Sequence, residues 1–239
     1  KVGRMNTIID NLIAEGKAEE MIIVLPYGNP VKLMDQPADF AMDLFSNDLI
    51  NDLMPYVEAN YLTINDAEHR AIGGFSRGGN QALSNGLMNL DKFSYLCSYS
   101  SFTSTQLPYV YDHAKETNSK INLFWLGIGT DDLLYKTSHD YIEFLRKKGI
   151  NHMLEFTKGK FGHTWMNAKY FLAQTMPLLF NKEKATAAMS DGGMPLPELK
   201  GDEEEFKPLV MSRLFPPKDT SPDYGQGKVT SPIKAEKPQ

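Results

Sequence analysis

Short apolar runs alternate with amphipathic stretches over the first three quarters of the chain. Residues 21–26, Met-Ile-Ile-Val-Leu-Pro, read as a buried strand that follows a helical stretch at residues 7–15. Ile50, Leu53, Met54 and Val57 then recur at helical spacing within residues 39–60, and Pro55 is placed to kink that helix. The pattern next predicts a strand over 70–75, a helix over 78–89 and a strand over 95–100. Residues 121–127 form the most hydrophobic later strand, and a helix over 138–148 puts Tyr141, Phe144 and Leu145 on one face. A strand over 152–156 and a last helix over 165–179 complete the series. Regular alternation of strand and helix predicts an α/β domain with a mostly parallel sheet and helices on both faces. In such sheets, sites form beyond the carboxyl ends of the strands.

The pattern fails after residue 182. Of the 14 prolines, 8 fall within residues 185–239, along with only 3 of the 26 Phe, Trp and Tyr residues, so that stretch cannot build a core of its own. We therefore divide the chain into a body, residues 1–182, and a Pro-rich extension, residues 183–239, partly extended or disordered. Its segment 206–215 is apolar enough to dock on the body. The balance of 25 Lys and Arg against 30 Asp and Glu, with no dense basic run, argues against a nucleic-acid partner. The longest apolar run is far shorter than the ~20 residues of a membrane helix. One cysteine, Cys97, excludes an internal disulfide and a cysteine-built zinc site. The first residue is Lys rather than Met, which leads us to expect a processed or truncated start.

Candidate chemistry begins at Gly74-Phe75-Ser76-Arg77-Gly78, a GxSxG pattern between an apolar strand and a helix, where a nucleophile elbow would stand. A serine hydroxyl needs a base, normally a histidine oriented by a carboxylate, and on this kind of sheet the acid and then the histidine follow the serine in the chain. His69 and His152 fall at strand beginnings, and His113 and His139 fall in or near helices. His163 follows the final strand in a glycine-containing loop and is the candidate base. Of eight carboxylates between Ser76 and His163, only Asp131 and Asp132 directly follow a buried strand at its carboxyl end. Position alone does not choose between them, and the one not used is expected to cap the next helix. The backbone N–H of Arg77 is one expected oxyanion donor. Tyr27, Asn29 and Trp165 lie on loops predicted to face the site.

With Gly-Phe-Ser-Arg-Gly-Gly over 74–79, Gly-Thr-Asp-Asp over 129–132 and Gly-His-Thr-Trp over 162–165, the sequence resembles carbohydrate esterase family 1, the bacterial feruloyl and acetyl xylan esterases. The resemblance runs from about Gly3 to Phe180. Asn11 to Lys17, Leu25 to Asn29, and Asp48-Leu49-Ile50 leading to Pro55-Tyr56-Val57-Glu58 also look like that family. It implies an α/β-hydrolase fold, a cofactor-free and metal-free serine mechanism, and esters of feruloylated or acetylated xylan as substrates. It also implies secretion or a periplasmic location, and it favours Asp132 over Asp131 as the acid.

Two departures stand out. Arg77 occupies a position that is often Met in the family. The family also has further N-terminal strands, one of which lies between those represented here by residues 21–26 and 70–75. Its loop carries a second oxyanion donor, and its loss would leave a central slot empty. We expect the missing strand to come from a preceding segment or from self-association. A competing reading is a catalytically impaired, carbohydrate-binding or vestigial module that keeps the elbow without a complete oxyanion hole.

Overall fold

The computed structural model describes residues 3–28, 44–157 and 162–197. Its centre is a sheet of four parallel strands in the order β1 (Ala71–Phe75), β2 (Tyr95–Tyr99), β3 (Leu123–Gly129) and β4 (Met153–Thr157). The register pairs Ala71 with Tyr95, Tyr95 with Leu123 and Trp125 with Met153. Each crossover contains helix, as parallel neighbours require. The crossovers are α3 (Arg77–Met88) between β1 and β2, α4 (Pro108–Asp112) and α5 (Ala114–Lys120) between β2 and β3, and α6 (Tyr135–Lys148) between β3 and β4.

The strands read as unbroken apolar runs because both faces are buried. Leu96, Phe124, Leu126 and Ile128 point to one face, where they meet Leu83 and Leu87 of α3 and Ile142 and Leu145 of α6. Tyr95, Cys97, Tyr99, Leu123 and Trp125 point to the other face. There they meet Ile9 of α1 (Met5–Ala14) and Phe171 and Leu172 of α7 (Trp165–Thr175). On that second face Tyr99 Oη and Thr175 Oγ1 share a hydrogen bond of 2.6 Å, so the buried phenol keeps a partner.

Three expectations change. The helix expected over 39–60 is described from residue 44, and the irregularity expected at Pro55 lies in the turns just before it. Asp48–Leu53 winds as a π-helix, with Met54 N–H reaching Leu49 O, before α2 (Met54–Asn60) begins. Pro55 has no N–H to offer four residues back and its ring crowds that carbonyl, so the widened turn accommodates it. The boundary expected at 182/183 is crossed by α8 (Lys182–Asp191), which buries Ala185 completely and packs Met189 against both core clusters. Residues 198–239, including the segment 206–215, lie outside the described residues.

The third change is the largest. Residues 21–27, expected to begin with a buried strand, pair with no strand among the described residues, and Leu25 is 74% exposed. Between this segment and β1 lies a cavity of about 1130 Å³. The apolar run has the composition of a strand, but without a neighbour its backbone has no ladder to join.

Candidate active site

β1 ends at Phe75, α3 begins at Arg77, and Ser76 turns the corner between them with φ 57° and ψ −123°. A positive φ costs a non-glycine residue roughly 1–3 kcal/mol, so the surroundings must hold it. Ser76 N–H donates to Tyr99 O at 2.9 Å, and Ser76 O accepts from Asn80 N–H at 3.1 Å. The turn also depends on close backbone approach. A Cβ on Gly74 would lie 2.3 Å from the Gly78 carbonyl, and one on Gly79 would lie 2.7 Å from Ser101 Cβ. Gly74 and Gly79 therefore enforce the elbow, whereas a Cβ on Gly78 would meet nothing within 4 Å.

The structure brings together Ser76, His163 and Asp132. His163 Nε2 lies 2.8 Å from Ser76 Oγ. On its other side His163 Nδ1 lies 3.0 and 3.1 Å from the two Asp132 carboxylate oxygens. An ionised carboxylate only accepts, so Nδ1 carries the hydrogen, and Nε2 is left as the acceptor for the serine O–H. The Asp132 side chain is fully buried. Its Oδ1 also accepts from Leu134 N–H at 2.8 Å, at the entrance to α6. This corrects one expectation, since the aspartate facing His163 is also the one that ties down the next turn. Asp131 is exposed, and its carboxylate sits 3.4 Å from Thr130 Oγ1.

Below the histidine, a set of side chains fixes the loop that carries it. Thr157 Oγ1 at the end of β4 donates to Asn167 Oδ1 at 2.8 Å, and Asn167 Nδ2 donates to Gly162 O at 3.3 Å. Asn167 is completely buried, and a Cβ on Gly129 would lie 2.9 Å from its Nδ2. Thr164 caps α7 by accepting from Asn167 N–H. Sequence reasoning passed over Thr157 and Asn167. The signal for Asn167 was a polar residue in the first turn of α7, between Met166 and Ala168.

Aromatic rings border the triad. Phe75 lies with its ring centroid 4.9 Å from His163 and 5.1 Å from Trp165. Trp165 is 50% exposed at the start of α7, and Tyr27 is exposed beside Gly28, whose carbonyl accepts from Gln81 Nε2 at 2.8 Å. Asn29 lies outside the described residues. Arg77 is the first residue of α3, so its backbone N–H is among the amides the helix leaves unpaired. Among the described residues, no three His, Cys, Asp or Glu side chains gather to hold a metal ion, and no helix is long and apolar enough to cross a membrane.

A serine hydroxyl, an imidazole and a buried carboxylate at hydrogen-bond distance, above the carboxyl ends of three parallel strands, form an arrangement suited to acyl transfer. Known proteins agree at the level of family and fold. The chain is 36% identical over 95 residues to an endo-1,4-beta-xylanase/feruloyl esterase of Xylanibacter ruminicola, a stretch that covers 39% of this chain and 13% of that protein. It thus spans about an eighth of that relative's length. Among solved structures it resembles a carbohydrate esterase family 1 ferulic acid esterase from Anaeromyces mucronatus in complex with ferulic acid. Their TM-score is 0.60 at 27% identity, covering 72% of this chain and 70% of that one. A second ferulic acid esterase, at 21% identity and a TM-score of 0.56, covers 76% of this chain and 78% of its own length and shares the fold. The family model described as "Putative esterase" matches residues 1–166. The chain belongs to this esterase family and has an α/β-hydrolase type of fold.

Proposed function

We propose that the chain is a serine ester hydrolase in which Ser76, His163 and Asp132 act as nucleophile, base and orienting acid. The observation that carries this reading is the chain of contacts Ser76 Oγ–His163 Nε2 at 2.8 Å and His163 Nδ1–Asp132 at 3.0 Å. His163 Nε2 takes the Ser76 proton as Oγ attacks the ester carbonyl, and the resulting imidazolium faces the Asp132 carboxylate. Collapse of the tetrahedral intermediate transfers that proton to the leaving alcohol and leaves the acyl group on Ser76. A water molecule deprotonated by the same histidine then attacks the acyl carbon, and as the bond to Ser76 Oγ breaks His163 returns the proton to Oγ, releasing the acid and restoring the serine. The Arg77 backbone N–H donates to the oxyanion.

For the substrate we propose hydroxycinnamoyl esters, above all feruloyl esters carried on xylan. The names and bound ligand of the relatives support this choice. So does the Phe75 and Trp165 pair beside His163, since an exposed indole offers a face for an aromatic acyl group. A panel of feruloyl, acetyl and simple aryl esters tests it. Turnover of feruloyl esters at least tenfold above acetyl esters is expected. Preference for acetyl esters would make the chain an acetyl xylan esterase, and failure of a phosphonate probe to label Ser76 in folded protein would remove the hydrolase reading altogether.

A further inference from the structure

A glutamine seldom fills a buried helix position, because its carboxamide must find a partner there. Gln81 does so one turn beyond the elbow. It is 4% exposed, on the part of α3 that also buries Gly79, Ala82 and Leu83. Its Nε2 donates at 2.8 Å to the carbonyl of Gly28, 53 positions earlier in the chain. The two residues lie in close apposition, since a Cβ on Gly28 would stand 3.1 Å from Gln81 Oε1.

This contact is what holds the end of segment 21–28. Among the described residues, no other main-chain group of that segment makes a hydrogen bond. Met21 packs on the core at its start, whereas Leu25 and Tyr27 are exposed. Gly28 and Gln81 line the same cavity as Phe75 and Trp165, the rings that border His163, so the held end of the segment is the one at the triad. The helix that holds it is itself tied to the nucleophile, because Ser76 O accepts from the N–H of Asn80, the residue before Gln81. A short path thus joins Ser76, the first turn of α3, the Gln81 carboxamide and the chain at Tyr27 and Gly28.

We propose that Gln81 is a positioning residue for substrate binding, whose carboxamide fixes Tyr27 and Gly28 as one wall of the ester site. It acts through that wall and takes no part in the hydrogen bonds that link Ser76, His163 and Asp132. This role rests on the hydrolase reading of Ser76 for the identity of the bound molecule. A carboxamide donates at every pH, whereas a carboxyl group donates only while protonated. Gln81→Glu therefore makes the tie depend on pH, with burial raising the pKa of the new carboxyl, and Gln81→Leu removes the tie at nearly the same size.

Steady-state hydrolysis of a feruloyl ester at pH 5 and pH 9, with thermal unfolding to check each variant, tests the proposal. Gln81→Leu should raise KM about tenfold at both pH values and leave kcat within about threefold of wild type. Gln81→Glu should have a KM within about twofold of wild type at pH 5 and should match Gln81→Leu at pH 9, where a carboxylate repels the Gly28 carbonyl. Wild-type KM in folded Gln81→Leu overturns the proposal. So does a fall in kcat at unchanged KM, or a KM for Gln81→Glu that keeps the same ratio to wild type at both pH values. Should Gln81→Leu not fold, Gly28→Ala displaces the carboxamide from the other side. It should raise KM about threefold in the wild type and add nothing to Gln81→Glu at pH 9, and equal effects in both overturn the proposal. The same variants combined with Ser76→Ala give the dissociation constant of the intact ester, which should follow the same pattern. If the wild type turns over no ester, the hydrolase reading fails by itself and these constants decide the role of Gln81; absence of binding overturns both.

Discussion

The two edges of the sheet are finished in different ways. At β4 the chain comes back after α8 and closes the edge with three residues. Leu154 N–H donates to Gly192 O at 3.1 Å, Met194 N–H donates to Leu154 O at 2.9 Å, and Gly193 forms the bridge between them. Met194 and Leu196 then pack onto the core, and Tyr135 Oη donates to Pro197 O at 3.3 Å. At β1 the corresponding backbone faces a cavity, and the apolar segment across it stays exposed. An apolar sequence alone does not finish a sheet edge. Main-chain donors and acceptors at the right spacing are needed, and one short segment suffices where it supplies them.

The triad is split across this difference. Asp132 and His163 follow β3 and β4 on the closed side, while Ser76 follows β1 beside the cavity. The largest expected effects test whether the chemistry nevertheless acts as one unit. Ser76→Ala and His163→Ala should each lower ester turnover by ~10⁴ or more, with the melting temperature nearly unchanged. An aryl-ester assay alongside thermal unfolding measures both. If Ser76→Ala retained most of the activity, the site would not lie at the elbow.

The paired aspartates come next in size. Asp132→Asn should cost about 10⁴ in kcat, since the amide would favour the wrong imidazole tautomer. Its carbonyl oxygen can still accept from Leu134 N–H, so stability should change little. Asp131→Asn should change kcat by less than about threefold, because its carboxylate is exposed and meets only Thr130 among the described residues. The reverse ranking would move the acid to Asp131.

Much of the site was legible because its signals are local. Gly74 to Gly78 between an apolar run and a helical run describes a strand, a turn and a helix, and the structure sets Ser76 on that turn. The choice between Asp131 and Asp132 was not local. Both follow β3, and which one faces His163 depends on how the chain leaves Gly129 past Asn167. Residues 21–26 misled for a related reason, since hydrophobicity reports the capacity to be a strand and not the presence of a neighbour. In the Pro-rich extension, average composition hid α8, whose Ala185 and Met189 meet the sheet while its exposed face carries the polar residues.

Stability measurements should show the edge difference directly. Gly193 has φ +70° and a Cβ there would stand 2.1 Å from Leu154 O, so Gly193→Ala should destabilise the protein by about 2–4 kcal/mol in denaturant unfolding. Leu25→Lys on the other side exchanges a side chain already 74% exposed, and in the 239-residue chain it should shift stability by no more than about 0.5 kcal/mol. A large loss from Leu25→Lys would show that segment 21–27 is buried in solution.

The smallest expected effect separates the edges by pH. His152 precedes β4, its Nδ1–H donates to Ile150 O at 2.7 Å, and its ring faces Phe124. Burial, aided by nearby Arg146, holds its pKa below the ordinary histidine value of about 6.5. As pH falls through 6.5, the unfolded chain takes up a proton that the folded chain refuses, so stability present above that pH is lost on the way to the folded pKa. Near β1, Asp66 has its carboxyl held below the ordinary value of 3.8, chiefly by its hydrogen bond to His69. Its contribution is present above that value and is lost only in stronger acid. Between pH 7 and pH 5, then, the closed edge should respond first. His152→Gln should flatten the fall in melting temperature over that range by about 1–3 °C, the shift expected for a fraction of ~1 kcal/mol in a domain of this size. An unchanged slope would mean that the His152 ring is solvated and that the closed edge opens as readily as the other.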